Sequence, residues 1–252
     1  MLEIRKLSAG YPDRQILKDF SASIPSGSLT AVLGPNGCGK STLLKAVTGI
    51  LPAEGDIFFR ETRLTAMSPA ERAKQMAFLP QSRPLPRIPV EKLVLHGRFP
   101  HLGYPRRYRE QDRAAAEQAM ERLGIGGLRH REMQDLSGGE RQKVYLAMLL
   151  AQDTPILLMD EPTTYLDIAH KFEMLDLSRQ LAREGKTVVA VLHDLDLAMA
   201  WADRILLMEA GRAVFCGSPE EIYAGGYLEQ VFHIRVDRTA TDEGPRYIFR
   251  PL

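Results

Sequence analysis

The sequence has few cysteines, almost no net charge and no long apolar run, and each shortage excludes something. Cys38 and Cys216 are the only cysteines, and they lie far apart along the chain. That argues against a disulfide framework and fits a reducing cytosol. The 33 lysines and arginines are matched by 32 aspartates and glutamates, leaving a formal charge of +1. The molecule as a whole therefore offers no electrostatic case for nucleic acid or an acidic partner. No apolar stretch approaches the roughly 18 residues that a membrane-crossing helix needs. The opening MLEIRKLSAGY has neither an apolar h-region nor a small-residue cleavage site, so no signal peptide is expected. Any service to a membrane is then expected from its cytosolic side, through another subunit.

At 252 residues the chain suffices for one large domain or two small ones with an ample core. Short apolar runs alternate with helical patterns, which predicts an α/β architecture with parallel strands. LTAVL (29–33), ILLMD (156–160) and TVVAVL (187–192) read as buried strands. Each ends at a polar residue or glycine, where open α/β sheets place their ligands. LEIRKL and FSASI suggest an N-terminal strand layer, and ILLM-EAG-RAVF near 205–215 a late hairpin. From Gln81 to about Asp153 the pattern changes to a proline cluster followed by EQDRAAAEQAMERLG and ERQKVYLAMLLAQ, both helical. We read 82–153 as a helical subdomain inserted into a core formed by 1–81 and 154–252. Ser68-Pro69-Ala70-Glu71 and Ser218-Pro219-Glu220-Glu221 are helix starts with capping boxes.

The stretch Gly34 to Thr42, GPNGCGKST, fits the phosphate-loop pattern G-x-x-x-x-G-K-[ST]. It follows a strand and opens a helix near Lys40. Gly34, Pro35, Asn36, Gly37, Cys38 and Gly39 would wrap a triphosphate at a helix N-terminus, every one of them except Pro35 with a backbone N–H to offer. Lys40 is expected to reach the β- and γ-phosphates, with Ser41 on Mg²⁺ and Thr42 beside it. Cys38 reads as a small loop filler, although a helix N-terminus lowers a thiol pKa and would make its alkylation sensitive to ATP. ILLMDE supplies Asp160 for Mg²⁺ and Glu161, on the opposite side of the pleat, to orient or deprotonate water. Alone, that string is equally a buried strand ending in an acidic turn. LSGGERQ is a capping box at Ser137, yet two glycines cost about 1 kcal/mol each relative to alanine at a helix start. They make sense where an anion must approach bare amides.

With these motifs in order, the chain resembles the nucleotide-binding subunits of ATP-binding cassette transporters over essentially its whole length. The resemblance implies a P-loop NTPase (RecA-like) α/β core with an N-terminal antiparallel β layer and the inserted helical subdomain. It implies ATP and Mg²⁺ as cofactors and a head-to-tail homodimer, with Ser137, Gly138, Gly139 and Glu140 facing the ATP of the other copy. Glu140 stands where glutamine is usual. Tyr11 matches the residue that stacks on adenine, and Gln81 the glutamine that contacts Mg²⁺ and the attacking water. His193 matches the histidine that senses the γ-phosphate, and TTYLD (163–167) carries Asp167 to the dimer interface.

GRFPH, with TTYLDIAH (163–170), resembles the ATPases that import iron-siderophore, haem and cobalamin complexes. Gly97, Arg98, Phe99, Pro100 and His101, with Arg106 and Arg107 of YPRRYR, are therefore candidates for docking on a permease. GRFPH is equally an ordinary helix end at Gly97, and YPRRYR equally a solvated loop. The partners implied are separate permease subunits and a periplasmic or lipid-anchored binding protein, with this chain peripheral on the cytoplasmic face of the membrane. The other reading is a soluble single-cassette ATPase, such as one acting in iron–sulfur cluster assembly.

Overall fold

The computed structural model describes residues 1–164, 166–241 and 244–252. The chain opens with a hairpin of β1 (Leu2–Tyr11) and β2 (Arg14–Ile24), then β3 (Leu29–Leu33), α1 (Lys40–Thr48), β4 (Ala53–Phe59) and β5 (Thr62–Arg63). α2 (Pro69–Arg72) and β6 (Met76–Leu79) lead into a stretch whose regular elements are the helices α3 (Val90–His96), α4 (Glu110–Arg122) and α5 (Gly138–Ala151). The chain re-enters the sheet through β7 (Ile156–Asp160), α6 (Ile168–Arg183), β8 (Thr187–Val191) and α7 (Leu195–Trp201). It finishes with β9 (Arg204–Glu209), β10 (Arg212–Gly217), α8 (Pro219–Ala224), α9 (Tyr227–Phe232), β11 (Ile234–Thr241) and β12 (Gly244–Pro251).

Two sheets share one helix. The first runs β2-β1-β4-β5 with antiparallel pairing, and the second β10-β9-β3-β8-β7-β6. Within the second, β6, β7, β8, β3 and β9 are mutually parallel and β10 closes the edge antiparallel. All five residues of β3, β7 and β8 are buried, which is why each reads as an unbroken apolar run. In β1 the buried residues are Leu2, Ile4, Leu7 and Ala9, so that sheet covers the core with one face only. Leu43, Leu44 and Val47 of α1 fill the space between Leu2, Ile4 and Phe20 on one side and Val32, Ile156 and Leu158 on the other. The opposite face of the large sheet packs against α5, α6 and the remaining helices through Val144, Leu146, Leu175 and Leu181.

The expected strands and both capping boxes are present. Several elements had no named counterpart in the sequence reading, α3 and the β11–β12 hairpin among them. α3 is a short helix directly after the proline cluster. The β11–β12 hairpin forms a separate two-stranded sheet held by Val236, Phe249 and the Tyr223–Tyr247 ring contact at 5.3 Å. Among the described residues, no helix is long and apolar enough to cross a membrane.

Candidate active site

Four adjacent parallel strands end at one edge of the large sheet. β3 delivers Gly34 and the phosphate loop, β8 His193, β7 Asp160 and Glu161, and β6 Gln81. This is the edge where open α/β sheets bind ligands. A cleft of about 290 Å³ lies there, lined by Asn36, Gly37, Gly39, Lys40, Ser41, Thr42, Glu161 and His193 from the expected set. Arg14 and Ile16 of β2 line it too, although nothing in their sequence context singled them out. The Tyr11–Arg14 pairing at the tip of the β1–β2 hairpin brings Arg14 there. Tyr11 itself is half exposed at the end of β1 and is not part of that lining.

The loop's backbone is built for anion contact. Gly39 precedes α1 at φ 109°, a left-handed conformation that favours glycine, and it has no side chain with which to cap the helix. By contrast α2, α5, α6 and α8 begin with a Ser or Asp side chain accepting a first-turn amide. The first-turn amides of α1 are thus left without a side-chain acceptor, as a phosphate cradle requires. Lys40 is buried, and its Nζ donates to the carbonyls of Gly34 at 2.7 Å and Pro35 at 3.1 Å. Cys38 is buried as well, and burial pushes its thiol pKa up, with Lys40 pulling the other way. The helix N-terminus does not win here, which fits Cys38 as a small loop filler and gives no support to an activated thiol.

Ser41 donates to Asp160 Oδ1 at 3.0 Å. Asp160 is only 2% exposed. Burial raises its carboxyl above the usual range, Ser41 opposes the shift, and the Glu161 charge adds to it. A buried carboxylate with a single hydroxyl donor is short of positive charge, and a hydroxyl–carboxylate pair is a hard-oxygen donor set. These residues fit Mg²⁺.

Glu161 does not continue the pleat. Its φ is 52°, so the chain turns into the left-handed region immediately after Asp160. That turn brings its carboxylate to His193 Nε2, 2.5 Å from Oε1, and to Gln81 Nε2, which donates to Oε2 at 2.5 Å. Thr164, which had drawn no attention of its own, donates its hydroxyl to Oε2 at 3.1 Å. The three residues expected to handle water and the γ-phosphate therefore meet on one carboxylate.

The segment between β6 and β7 reaches the turn beside Glu161 through Gln142. Arg83 Nη2 donates to Gln142 Oε1 at 2.8 Å, Gln142 Nε2 to the Pro162 carbonyl at 2.6 Å, and Tyr145 OH to the Pro84 carbonyl at 2.6 Å. Ser137 caps α5 by accepting the Glu140 amide, and Glu140 Oε2 accepts the Ser137 amide at 2.8 Å, completing the capping box. Ser137 and Gly138 are exposed, while Gly139 and Glu140 are half-buried. The Ser137 amide holds the Glu140 carboxyl below its ordinary range. Asp167 caps α6 through the His170 amide at 2.9 Å and lies 2.8 Å from His170 Nδ1. Tyr165, in the same loop, falls outside the described residues.

The residues expected to dock on a permease divide in two. Gly97 is buried, and a Cβ there would sit 2.2 Å from the Met148 carbonyl, so α3 ends against α5 at a distance only glycine allows. Arg98 donates to Asp112 at 3.2 Å and to the Ala151 carbonyl at 2.9 Å, and His101 Nε2 lies 2.8 Å from the Gln152 carbonyl. Phe99, Arg106 and Arg107 are exposed, with the Arg106 guanidinium 4.5 Å over the Phe99 ring. Pro100 lines a cleft of about 740 Å³ together with Lys45, Ile50, Arg72, Phe78 and Gln152.

Comparison with known proteins agrees with this geometry. The family model described as ABC transporter matches residues 17–164. An achromobactin transport ATP-binding protein of Dickeya dadantii is 41% identical, covering 91% of this chain and 87% of its own length. A hemin import ATP-binding protein of Deinococcus radiodurans is 44% identical over 86% of this chain and 84% of its own. A solved metal-chelate type ABC transporter in an inward-facing conformation superposes with a TM-score of 0.84 at 30% identity, covering 100% of this chain and 97% of that one.

Proposed function

Since the chain belongs to the ABC transporter family, as an ATP-hydrolysing, ATP-binding subunit, we propose that it powers import of a ferric siderophore or haem through separate permease subunits. The observation that carries this reading is the run of relatives around 40% identical over most of their length, named for siderophore and hemin import. The soluble iron–sulfur reading is not favoured by any of them. The working assembly on this reading is a homodimer at the cytoplasmic face of the membrane, served by a substrate-binding protein on the far side.

The chemistry follows from the cluster on Glu161. Phosphoryl transfer to water needs positioning and charge neutralisation more than covalent help. Lys40 and the amides of Gly37, Cys38 and Gly39 offset the triphosphate charge, with Lys40 exchanging its loop carbonyls for phosphate oxygens. Ser41 and Asp160, with Gln81, would hold Mg²⁺, which when bound neutralises charge on the β- and γ-phosphates. Glu161 takes the proton of the attacking water as the γ-phosphate leaves the β–γ bridging oxygen. Gln81 and His193 fix that carboxylate and report whether the γ-phosphate is there. Tyr11 stacks on adenine, at the tip of the β1–β2 hairpin whose Arg14 and Ile16 line the cleft.

In the dimer, exposed Ser137 and Gly138 with Gly139 would complete the other copy's site, and Asp167 would line the interface. Glu140 faces the same edge but spends its carboxylate on its own helix cap. We take 82–153 as the unit that follows the γ-phosphate, through Arg83, Gln142 and Tyr145. Docking falls to Phe99, Pro100, Arg106 and Arg107 and to the cleft beside Ile50, which is 64% exposed. Gly97, Arg98 and His101 shape that segment from within.

Deleting the gene should abolish growth on ferric siderophore or haem as sole iron source. The wild-type chain should restore growth and Glu161→Gln should not. Tagged chain should retrieve a multispanning membrane protein from a detergent extract. Unchanged growth on every iron source, or retrieval of iron–sulfur assembly proteins instead, would overturn the reading.

A further inference from the structure

We infer that Thr164 is a positioning residue for hydrolysis, holding the Glu161 carboxylate so that one chosen oxygen faces the water. The inference rests on the reading of Glu161 as the base. A carboxylate offers about four acceptor positions, two per oxygen. Gln81 Nε2 and the Thr164 hydroxyl fill both positions on Oε2, and His193 Nε2 takes one on Oε1. Among the described residues, a single acceptor position then remains, on Oε1. Without Thr164 an Oε2 position opens, and a water would be accepted in two places, one of them misdirected.

The placement of Thr164 adds a second consequence. Gln81 and His193 reach Glu161 from other strand ends, whereas Thr164 lies three residues further along the same turn, its amide donating to the Glu161 carbonyl at 3.3 Å. Asp167, three residues beyond Thr164, caps α6. The Glu161 side chain is 11% exposed, so its hydrogen bonds compete with little bulk water. Thr164 thus ties the base to its own turn, whereas Gln81 and His193 tie it to other strands. Backbone conformation alone would not hold Glu161 there, because a non-glycine residue at φ 52° sits in a sparsely populated region.

The test compares Thr164→Val, Thr164→Ser, Glu161→Gln and the Thr164→Val/Glu161→Gln double variant in the full chain. Single-turnover release of phosphate from γ-labelled ATP, with the chain in excess, detects slow hydrolysis. Steady-state runs then separate kcat from KM. Thr164→Val should lose about tenfold or more in rate, as expected for a hydrogen bond to a charged group. ATP affinity should stay within about twofold, because Thr164 does not touch the phosphate loop. Thr164→Ser, which keeps the hydroxyl, should recover most of the rate. The double variant should be no slower than Glu161→Gln alone, since the hydroxyl acts only through that carboxylate. A Thr164→Val rate equal to wild type, with Glu161→Gln inactive, would overturn the inference and leave the base reading standing. Normal hydrolysis by Glu161→Gln would sink the base reading itself. Equal losses in the Ser and Val variants, accompanied by lower melting temperatures, would reduce Thr164 to a structural residue.

Discussion

Replacing Arg98 by alanine separates two accounts of the GRFPH segment. On a docking account Arg98 meets another protein, and its loss weakens capture without touching stability. On the structural account it is the bolt between α3, α4 and α5. Its side chain is 11% exposed and that of Asp112 is 3% exposed, and it donates to both Asp112 and the Ala151 carbonyl. Removing it leaves a buried carboxylate with the Arg109 amide, 2.9 Å away, as its remaining donor among the described residues. Breaking a buried pair from one side costs about 3–5 kcal/mol, and the partial exposure of Arg98 puts this case near the low end, about 3. For a chain of this size that is a fall of roughly 6–12 °C in melting temperature. The pH dependence has a definite sign. Burial works to raise the Asp112 carboxyl, but the Arg109 amide and the Arg98 guanidinium outweigh it and hold it below the usual range. A lowered carboxylate contributes stability that is present above its unfolded pKa of about 3.9 and lost as pH falls through the folded value. The gap between wild type and variant should therefore be full at neutral pH and should close below about pH 4. Urea melts read by circular dichroism across that range would measure it. An unchanged neutral-pH melt, together with lost permease capture, would refute the structural account.

Three further outcomes follow from the site. Glu161→Gln should bind ATP but lose roughly 10²–10⁴-fold in turnover, the usual worth of a positioned base, which phosphate-release kinetics would read. Asp160→Asn should melt about 2–4 °C higher than wild type while failing to hydrolyse ATP, because it removes a buried charge and keeps an oxygen for Ser41. A lower melting temperature would mean that the buried carboxylate stabilises the free chain. Cys38, buried and with its thiol raised, should resist iodoacetamide near neutral pH whether or not ATP is present. Peptide mapping that found rapid, ATP-blocked labelling would restore the activated-thiol reading.

What was legible in the sequence is what repeats or what chemistry restricts. β3, β7 and β8 are buried on both faces, so their residues had to be apolar throughout. Phosphate contact needs glycine and lysine at fixed places, and capping needs Ser with Glu three residues on. The rest lacks such signals. β11 buries only Val236, so IRVDRTAT shows no alternation that marks a strand. The left-handed turn at Glu161 carries no signal because glutamate is not a residue chosen for positive φ, and two contacts from distant strand ends and one from its own turn hold it there. GRFPH suggests docking by resemblance, not through its local chemistry. Its arginine is consumed by Asp112, which is far enough along the chain that no local pattern reveals the pair.

Glu140 poses the sharpest question about the glycine-lined tip of α5. A helix start that must receive phosphate gains from positive potential, and a carboxylate beside it works against that gain. The Ser137 amide holds the Glu140 carboxyl below its ordinary range, so it carries its charge throughout neutral pH. The side chain answers to its own helix, accepting the Ser137 amide, with Arg131 Nη1 at 3.6 Å as partial compensation. Glutamine at the same position would close the capping box equally well through its side-chain oxygen. Glu140→Gln should therefore leave the melting temperature unchanged and tighten ATP-driven pairing of two copies. The expected gain is about two- to fivefold at low ionic strength, shrinking toward none at high salt as the charge is screened. Light scattering against ATP concentration, in the Glu161→Gln background that prevents turnover, would measure it at both salts. Equal or weaker pairing by the glutamine variant at low salt would mean that no phosphate approaches this helix start, and the head-to-tail arrangement would lose its physical basis.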